Sequence, residues 1–438
     1  MKKLSYLLFV MLSVSLLLLG CSKGNKKEEV ASEKGGSSLE SIEGVWEGVI
    51  QIPNQPLPIQ LEFSTDGGTL SIPAQGLDKY PFAKVKLTDS SLSLAMELQG
   101  QHITFDGKVE NEKIAGTFKQ QGQSFPFELT KGTAEESKEV GDPVQMEVKD
   151  GTMNGLLTTP QGEGPFPIMI IIAGSGPTDK DGNTTILPGK NNSLKMLAED
   201  LAANGVASIR YDKRGIGQNV SLGGKEEDVR FDHFIQDVES WVQFARGDNR
   251  FSKVGIIGHS EGSLIGMTAA SKTNADTYIS VSGAGRPADQ VLIEQLEAQL
   301  PANQLQESKD ILDKLKHGEI VKSVSTELQF LFRPSIQPYI ISWLQYNPQE
   351  QLKKLECPVF IINGTHDLQV PVKEAEALHA AKPDSELFII EGMNHVLKDS
   401  PKDPEGNSAT YTNPDLPLAD GLVERLMEFL EKNNVLEK

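Results

Sequence analysis

Hydrophobic and polar residues follow two rhythms along this chain, and the change between them falls near residue 140. Between residues 41 and 133 apolar and polar positions alternate in short runs: Val45 to Ile52, Ile59 to Phe63, Leu92 to Leu98, Ile103 to Gly107 and Phe125 to Leu129. A period of two sends every second side chain to the same face, so each run is a strand with one face buried and the other wet. Turn residues separate the runs at short intervals, which predicts a small antiparallel barrel or sandwich with Trp46 as a core plug. Past residue 143 the strand-like runs become almost wholly apolar, as in Ile168 to Ile172, Val254 to Ile257, Thr277 to Gly283 and Val359 to Ile362. Runs of that kind belong to strands covered on both faces, hence to a parallel sheet flanked by helices. The charged stretch 134–142 joins the two regions as a linker.

The chain start follows neither rhythm. Met1-Lys2-Lys3 supplies a positive beginning, Leu7 to Leu19 an apolar core too short and too lightly flanked for a stable membrane span, and Leu18-Leu19-Gly20-Cys21 resembles a lipobox. Residues 1–20 then read as a lipoprotein signal peptide, with Cys21 as the lipidated residue. Residues 21–40, rich in Lys, Glu, Gly and Ser, read as a disordered tether. Such a protein is held at the cell membrane facing outward from the cytoplasm. Cys21 and Cys357 are the chain's two cysteines, so a lipidated Cys21 leaves Cys357 without a partner inside the chain. Cys357 opens an apolar strand and reads as an inert core thiol.

The chemistry concentrates around Gly258-His259-Ser260-Glu261-Gly262. With 40 glycines in 438 residues the pentapeptide alone is weak evidence, so its surroundings must carry the reading. An apolar strand precedes it, and the small apolar run Ser263 to Ala270 follows as a packed helix start. Strand, G-x-S-x-G and helix form a nucleophile elbow, in which the serine sits strained with its hydroxyl above the sheet. Residues without Cβ at Gly258 and Gly262 let the helix double back against the strand. This elbow calls for an acid after a later strand and a histidine after the next. Asp367 follows the strand Cys357 to Gly364, and His395 follows the strand Glu386 to Ile390, beyond a helix-like Val372 to Ala381. Of the seven histidines, His102 lies in the alternating region, His233 and His379 in helix-like stretches and His317 in a charged helical insertion. His259 and His366 adjoin other members of the trio, which leaves His395 as the base.

With these residues in view the chain resembles the α/β-hydrolases, specifically secreted bacterial serine esterases that carry a small N-terminal β-domain. Arg210-Tyr211-Asp212-Lys213-Arg214-Gly215-Ile216-Gly217 is similar to the D-x-R-G-x-G segment after the fourth strand of that superfamily, and Gly174-Ser175-Gly176-Pro177 to an oxyanion loop of the G-S-G-P-x-D kind. The resemblance covers residues 143–438. It implies an α/β fold with a mostly parallel eight-stranded sheet. It also implies Ser260 as nucleophile, His395 as general base and acid, Asp367 as its orienting partner, and an oxyanion hole from the backbone N–H of Glu261 with a second donor at Ser175 or Gly174. Ala173 departs from the histidine of H-G-G-type loops, which leaves that second donor open between the two.

Residues 286–349 are inserted between two strands, and Leu292, Ile293, Leu296, Leu300, Ile311, Leu312 and Leu315 recur there at helical spacing, which predicts a helical cap over the site. Phe330, Leu331, Phe332, Tyr339, Ile340, Ile341, Trp343 and Leu344 supply apolar surface for cap core or an acyl pocket. The Pro-, Asn- and Asp-rich stretch Ser400 to Leu416 reads as a loop. A net charge of −19 with no basic stripe excludes a nucleic-acid partner. No Cys/His cluster has metal-ligand spacing and no phosphate loop occurs, so no cofactor is expected. The reading is a membrane-anchored carboxylesterase acting on short or medium acyl esters. A serine peptidase, an acyltransferase and a catalytically inactive binding lipoprotein stay open as alternatives.

Overall fold

A computed structural model describes residues 39–52, 57–72, 77–98, 101–120, 122–132, 141–184 and 189–437. The expected signal peptide, Cys21 and most of the tether and linker lie outside them. The chain divides into two compact units: among the described residues, one gathers Val140–Gly215 and Leu222–Lys438, the other the residues up to Glu139 with Ile216–Ser221.

The smaller unit is one antiparallel sheet of nine strands. In chain order they are β1 (Gly44–Ile50), β2 (Leu57–Ser64), β3 (Gly67–Ile72), β4 (Leu77–Pro81), β5 (Lys84–Thr88), β6 (Ser91–Leu98), β7 (Gln101–Glu110), β8 (Lys113–Gln120) and β9 (Gln123–Lys131). They lie side by side as β4-β3-β2-β1-β9-β8-β7-β6-β5. The pairing of β1 with β9 brings the two ends of the meander together mid-sheet, and the edge strands β4 and β5 are consecutive in the chain, so the sheet has the form of an open barrel. Its core is the alternating set read from the sequence: Trp46, Leu61, Phe63, Leu94, Phe105, Phe127 and Leu129 are buried. Phe105 packs with ring centroids 5.0 Å from Phe118 and 5.3 Å from Phe127. Trp46 satisfies its indole N–H on the Ile42 carbonyl at 2.7 Å, as a buried Trp must.

The larger unit holds an eight-stranded sheet of β10 (Asp142–Val148), β11 (Gly151–Thr158), β12 (Phe166–Ile172), β13 (Ala207–Arg210), β14 (Phe251–His259), β15 (Thr277–Val281), β16 (Val359–Gly364) and β17 (Glu386–Ile390). The order is β10-β11-β13-β12-β14-β15-β16-β17. β11 is antiparallel to both neighbours, and every pair from β13 onward is parallel. The apolar runs have the expected cause. In β12, Ile168, Ile170 and Ile172 enter one core while Met169 and Ile171 enter the other, so neither face can be polar.

Helices α1 (Ser193–Ala203), α2 (Phe231–Arg246) and α3 (Glu261–Thr273) follow strands β12, β13 and β14. Between β15 and β16 the chain forms α4 (Ala288–Glu297), α5 (Ala302–Lys316), α6 (Gln329–Phe332), α7 (Gln337–Trp343) and α8 (Pro348–Leu352). The apolar residues of this insertion join the core of the larger unit: Leu331, Phe332, Tyr339, Ile340 and Trp343 are buried, and Trp343 stacks on Phe231 of α2 with centroids 6.1 Å apart. α9 (Val372–Ala381), α10 (Pro404–Ala409) and α11 (Leu422–Lys432) complete the unit. α10 interrupts the expected loop, and the reason is local. Asp403 caps it by accepting the Gly406 N–H at 2.8 Å, and Pro404 occupies its first turn.

Candidate active site

At the end of β14 the chain turns through Ser260, with φ 54° and ψ −119°, straight into α3. That conformation lies outside the regions open to residues with a Cβ, and it is held by the Ser260 N–H donating to Val281 O on β15 at 3.0 Å. The serine hydroxyl makes no capping bond to the helix it opens, so it is left for other use. The flanking glycines are required by contact. A methyl group on Gly258 would sit 2.3 Å from the Gly262 carbonyl, across the turn. One on Gly262 would sit 2.5 Å from the Ile172 carbonyl, so its constraint comes from the neighbouring strand β12 rather than from β14.

Asp367 lies in the turn after β16 and His395 in the loop after β17. Nδ1 of His395 is 2.8 Å from Oδ2 of Asp367, and the carboxylate is fully buried. The other oxygen, Oδ1, accepts the backbone N–H groups of Gln369 at 2.9 Å and Val370 at 2.8 Å. Asp367 is thus a turn carboxylate and a histidine partner at once. These bonds pin its orientation before His395 makes any demand on it. With Nδ1 donating to Asp367, Nε2 is the free imidazole nitrogen. Among the described residues no hydrogen bond joins Ser260 to His395.

His259, set aside on sequence grounds, sits beside this pair. Its Nε2 donates to the His395 carbonyl at 2.8 Å, and the two rings lie 4.9 Å apart. Burial, aided by the neighbouring His395, pulls its pKa down to about 3, so it stays neutral. Its Nδ1 is buried without a partner among the described residues. The available signal was its position: the last residue of a doubly covered strand is buried, and a buried imidazole needs a partner.

The expected oxyanion loop follows β12. A methyl on Gly174 would lie 3.1 Å from Ser260 Cβ, so this loop packs closely against Ser260. Among the described residues nothing accepts the backbone N–H of Ser175, and the N–H of Glu261, at the first position of α3, has no acceptor within its helix. The aspartate of the G-S-G-P-x-D stretch is a loop staple. Asp179 accepts the N–H groups of Asp181 at 2.9 Å and Asn183 at 2.8 Å. In the D-x-R-G stretch Asp212 holds the Lys180 N–H at 2.8 Å and Arg214 pairs with buried Asp237 at 2.6 Å, both architectural roles. Lys213 between them reaches Gly174 O at 2.5 Å and Glu261 Oε2 at 3.0 Å, and Tyr339 of α7 donates to Glu261 Oε1 at 2.5 Å. The sequence places Glu261 as a backbone donor, Lys213 in the D-x-R-G stretch and Tyr339 among apolar residues, and shows no local pattern for these side-chain contacts.

An eight-stranded sheet antiparallel only at its second strand, with a serine elbow after the fifth strand, an acid after the seventh and a histidine after the eighth, is the frame of these observations. A family model described as serine aminopeptidase, S33, matches residues 189–400. Esterase EstD of Thermotoga maritima is 29% identical over 296 residues, which cover 65% of this chain and 66% of that protein's length. The chain has the α/β-hydrolase fold. Among solved α/β structures, Est1E from Butyrivibrio proteoclasticus aligns at 17% identity and a TM-score of 0.45 over 68% of this chain and 100% of its own. The Pyrococcus horikoshii acylaminoacyl peptidase aligns at 14% identity and 0.45 over 86% and 62% respectively. The half-buried Cys357 stands two residues before β16, its thiol pushed up to about 11 by burial, far from a reactive thiolate. Among the described residues no group of His, Cys, Asp and Glu is arranged to hold a metal ion, and no helix is long and apolar enough to cross a membrane.

Proposed function

We propose that the protein is a serine carboxylesterase working by a Ser-His-Asp acyl-enzyme mechanism, anchored to the cell membrane by a lipid on Cys21 and facing outward from the cytoplasm. The observation that carries the reading is the strained Ser260 elbow at the carboxyl end of the same sheet as the Asp367–His395 pair, in a chain 29% identical to an esterase. Ser260 attacks an ester carbonyl as His395 Nε2 takes its proton, and Asp367 stabilises the imidazolium that forms. The tetrahedral oxyanion is received by the free N–H groups of Glu261 and Ser175. His395 then returns the proton to the leaving alcohol, and water repeats the sequence on the acyl-enzyme.

A fluorophosphonate probe tests this on the full chain in detergent: labelling should be lost in Ser260→Ala, and equal labelling of both proteins overturns the reading. A panel of p-nitrophenyl esters of rising chain length, run beside aminoacyl substrates, separates the ester reading from the peptidase reading that the family description favours. Fractionation of producing cells tests the anchor. Cys21→Ala protein should leave the membrane fraction, and its retention there would rule out lipidation at Cys21.

A further inference from the structure

Lys213, Glu261 and Tyr339 form a buried chain of three polar side chains that the hydrolytic steps do not themselves use. The lysine ammonium and the glutamate carboxylate are each about 5% exposed, and Tyr339 is 6% exposed. Burying a charge pair costs several kcal/mol in desolvation, so its presence beside Ser260 calls for a reason. Its contacts supply one. Lys213 donates to the carbonyl of Gly174, which belongs to the same peptide group as the Ser175 N–H. A trans peptide points its N–H opposite its carbonyl, so anchoring the oxygen on Lys213 aims the hydrogen away from it. A cation on the carbonyl oxygen also polarises the amide and strengthens its N–H as a donor. The same ammonium holds Glu261, whose own backbone N–H is the other oxyanion donor. One cation therefore sets the spacing between the two donors.

Tyr339 adds a link to the inserted helices. Its hydroxyl occupies the second oxygen of Glu261, and burial together with the glutamate charge keeps that hydroxyl protonated and donating. Its helix α7 is tied back to the sheet-covering helices through Ser342, whose hydroxyl accepts the Phe231 N–H at 2.8 Å.

Resting on the reading of Ser260 as nucleophile, we propose that Lys213 and Tyr339 are positioning residues for the oxyanion hole, coupling the inserted helix α7 to the two N–H groups that stabilise the transition state. They act on the tetrahedral intermediate and leave ground-state binding alone.

The test measures kcat and KM on p-nitrophenyl acetate, together with the affinity of a trifluoromethyl ketone, whose hemiketal oxyanion mimics the intermediate. Lys213→Met should lower kcat about 100-fold with KM within about threefold of wild type, and should weaken the ketone by the same factor as kcat/KM. Lys213→Arg, which can still bridge the two acceptors, should recover most of that loss, and Tyr339→Phe should lower kcat about tenfold. Because Lys213→Met leaves the Glu261 carboxylate buried without its cation, the double variant Lys213→Met/Glu261→Gln serves as the folded counterpart and should show the same kcat loss. Fluorophosphonate titration counts competent Ser260 in each protein. Stoichiometric labelling with wild-type kcat in Lys213→Met, or a loss carried by KM with ketone affinity unchanged, overturns the positioning role. Failure of the wild-type chain to label instead overturns the nucleophile assignment beneath it.

Discussion

Two buried imidazoles stand 4.9 Å apart beside the elbow, and they are held in opposite ways. His395 gives its Nδ1 hydrogen to the buried carboxylate of Asp367. His259 gives its Nε2 hydrogen to a carbonyl and has no acid of its own, and its pKa falls to about 3. The comparison teaches that two imidazoles beside the same serine are told apart by their partners: one faces a carboxylate from a loop that leaves its other nitrogen free, the other faces a backbone carbonyl. His259 holds the backbone carbonyl of His395 while burial keeps its own ring neutral.

Breaking the working half of the comparison should have the largest effect. His395→Ala is expected to lower kcat/KM on a p-nitrophenyl ester by about 10⁴-fold or more, with labelling at Ser260 slowed in parallel. Asp367→Asn keeps the shape and the turn contacts but can leave the imidazole in the wrong tautomer, and should lower kcat by roughly 10³- to 10⁴-fold. If Asp367→Asn retained more than a tenth of the activity, the carboxylate would be a turn residue only. The silent half is read by stability. In the unfolded chain His259 takes a proton near pH 6.5 and in the folded chain near 3, so folded stability is fully present above about pH 6.5 and is lost as the pH falls toward 3. Between pH 7 and pH 5 this costs about 2 kcal/mol, which His259→Gln, still able to donate to the carbonyl, should abolish. Denaturant unfolding of both proteins at the two pH values measures the difference. An equal acid loss in variant and wild type would mean that His259 titrates normally.

What could be read beforehand tracks the distance over which each feature is encoded. Ser260, Asp367 and His395 each sit just after an apolar strand, so local pattern and chain order pick out these positions as candidates, and the strand Glu386–Ile390 and helix Val372–Ala381 have the bounds the pattern implies. The Lys213–Glu261 and Glu261–Tyr339 contacts span 48 and 78 residues and leave no local trace. In the smaller unit β3 and β8 escaped notice because Gly67, Gly68 and Gly116 dilute their alternation. β5, Lys84-Val85-Lys86-Leu87-Thr88, has the right period but only two apolar residues, too few to stand out beside its longer neighbours.

At φ 54° and ψ −119° Ser260 occupies a backbone state that only glycine enters freely, so the elbow holds a strained carbon at one residue. Ser260→Gly should unfold at higher denaturant than Ser260→Ala, by about 1 kcal/mol, since alanine removes the hydroxyl and keeps the strained carbon. The backbone of this elbow would therefore be more stable with a residue that lacks a Cβ, and the side chain at position 260 is held at a cost to the fold.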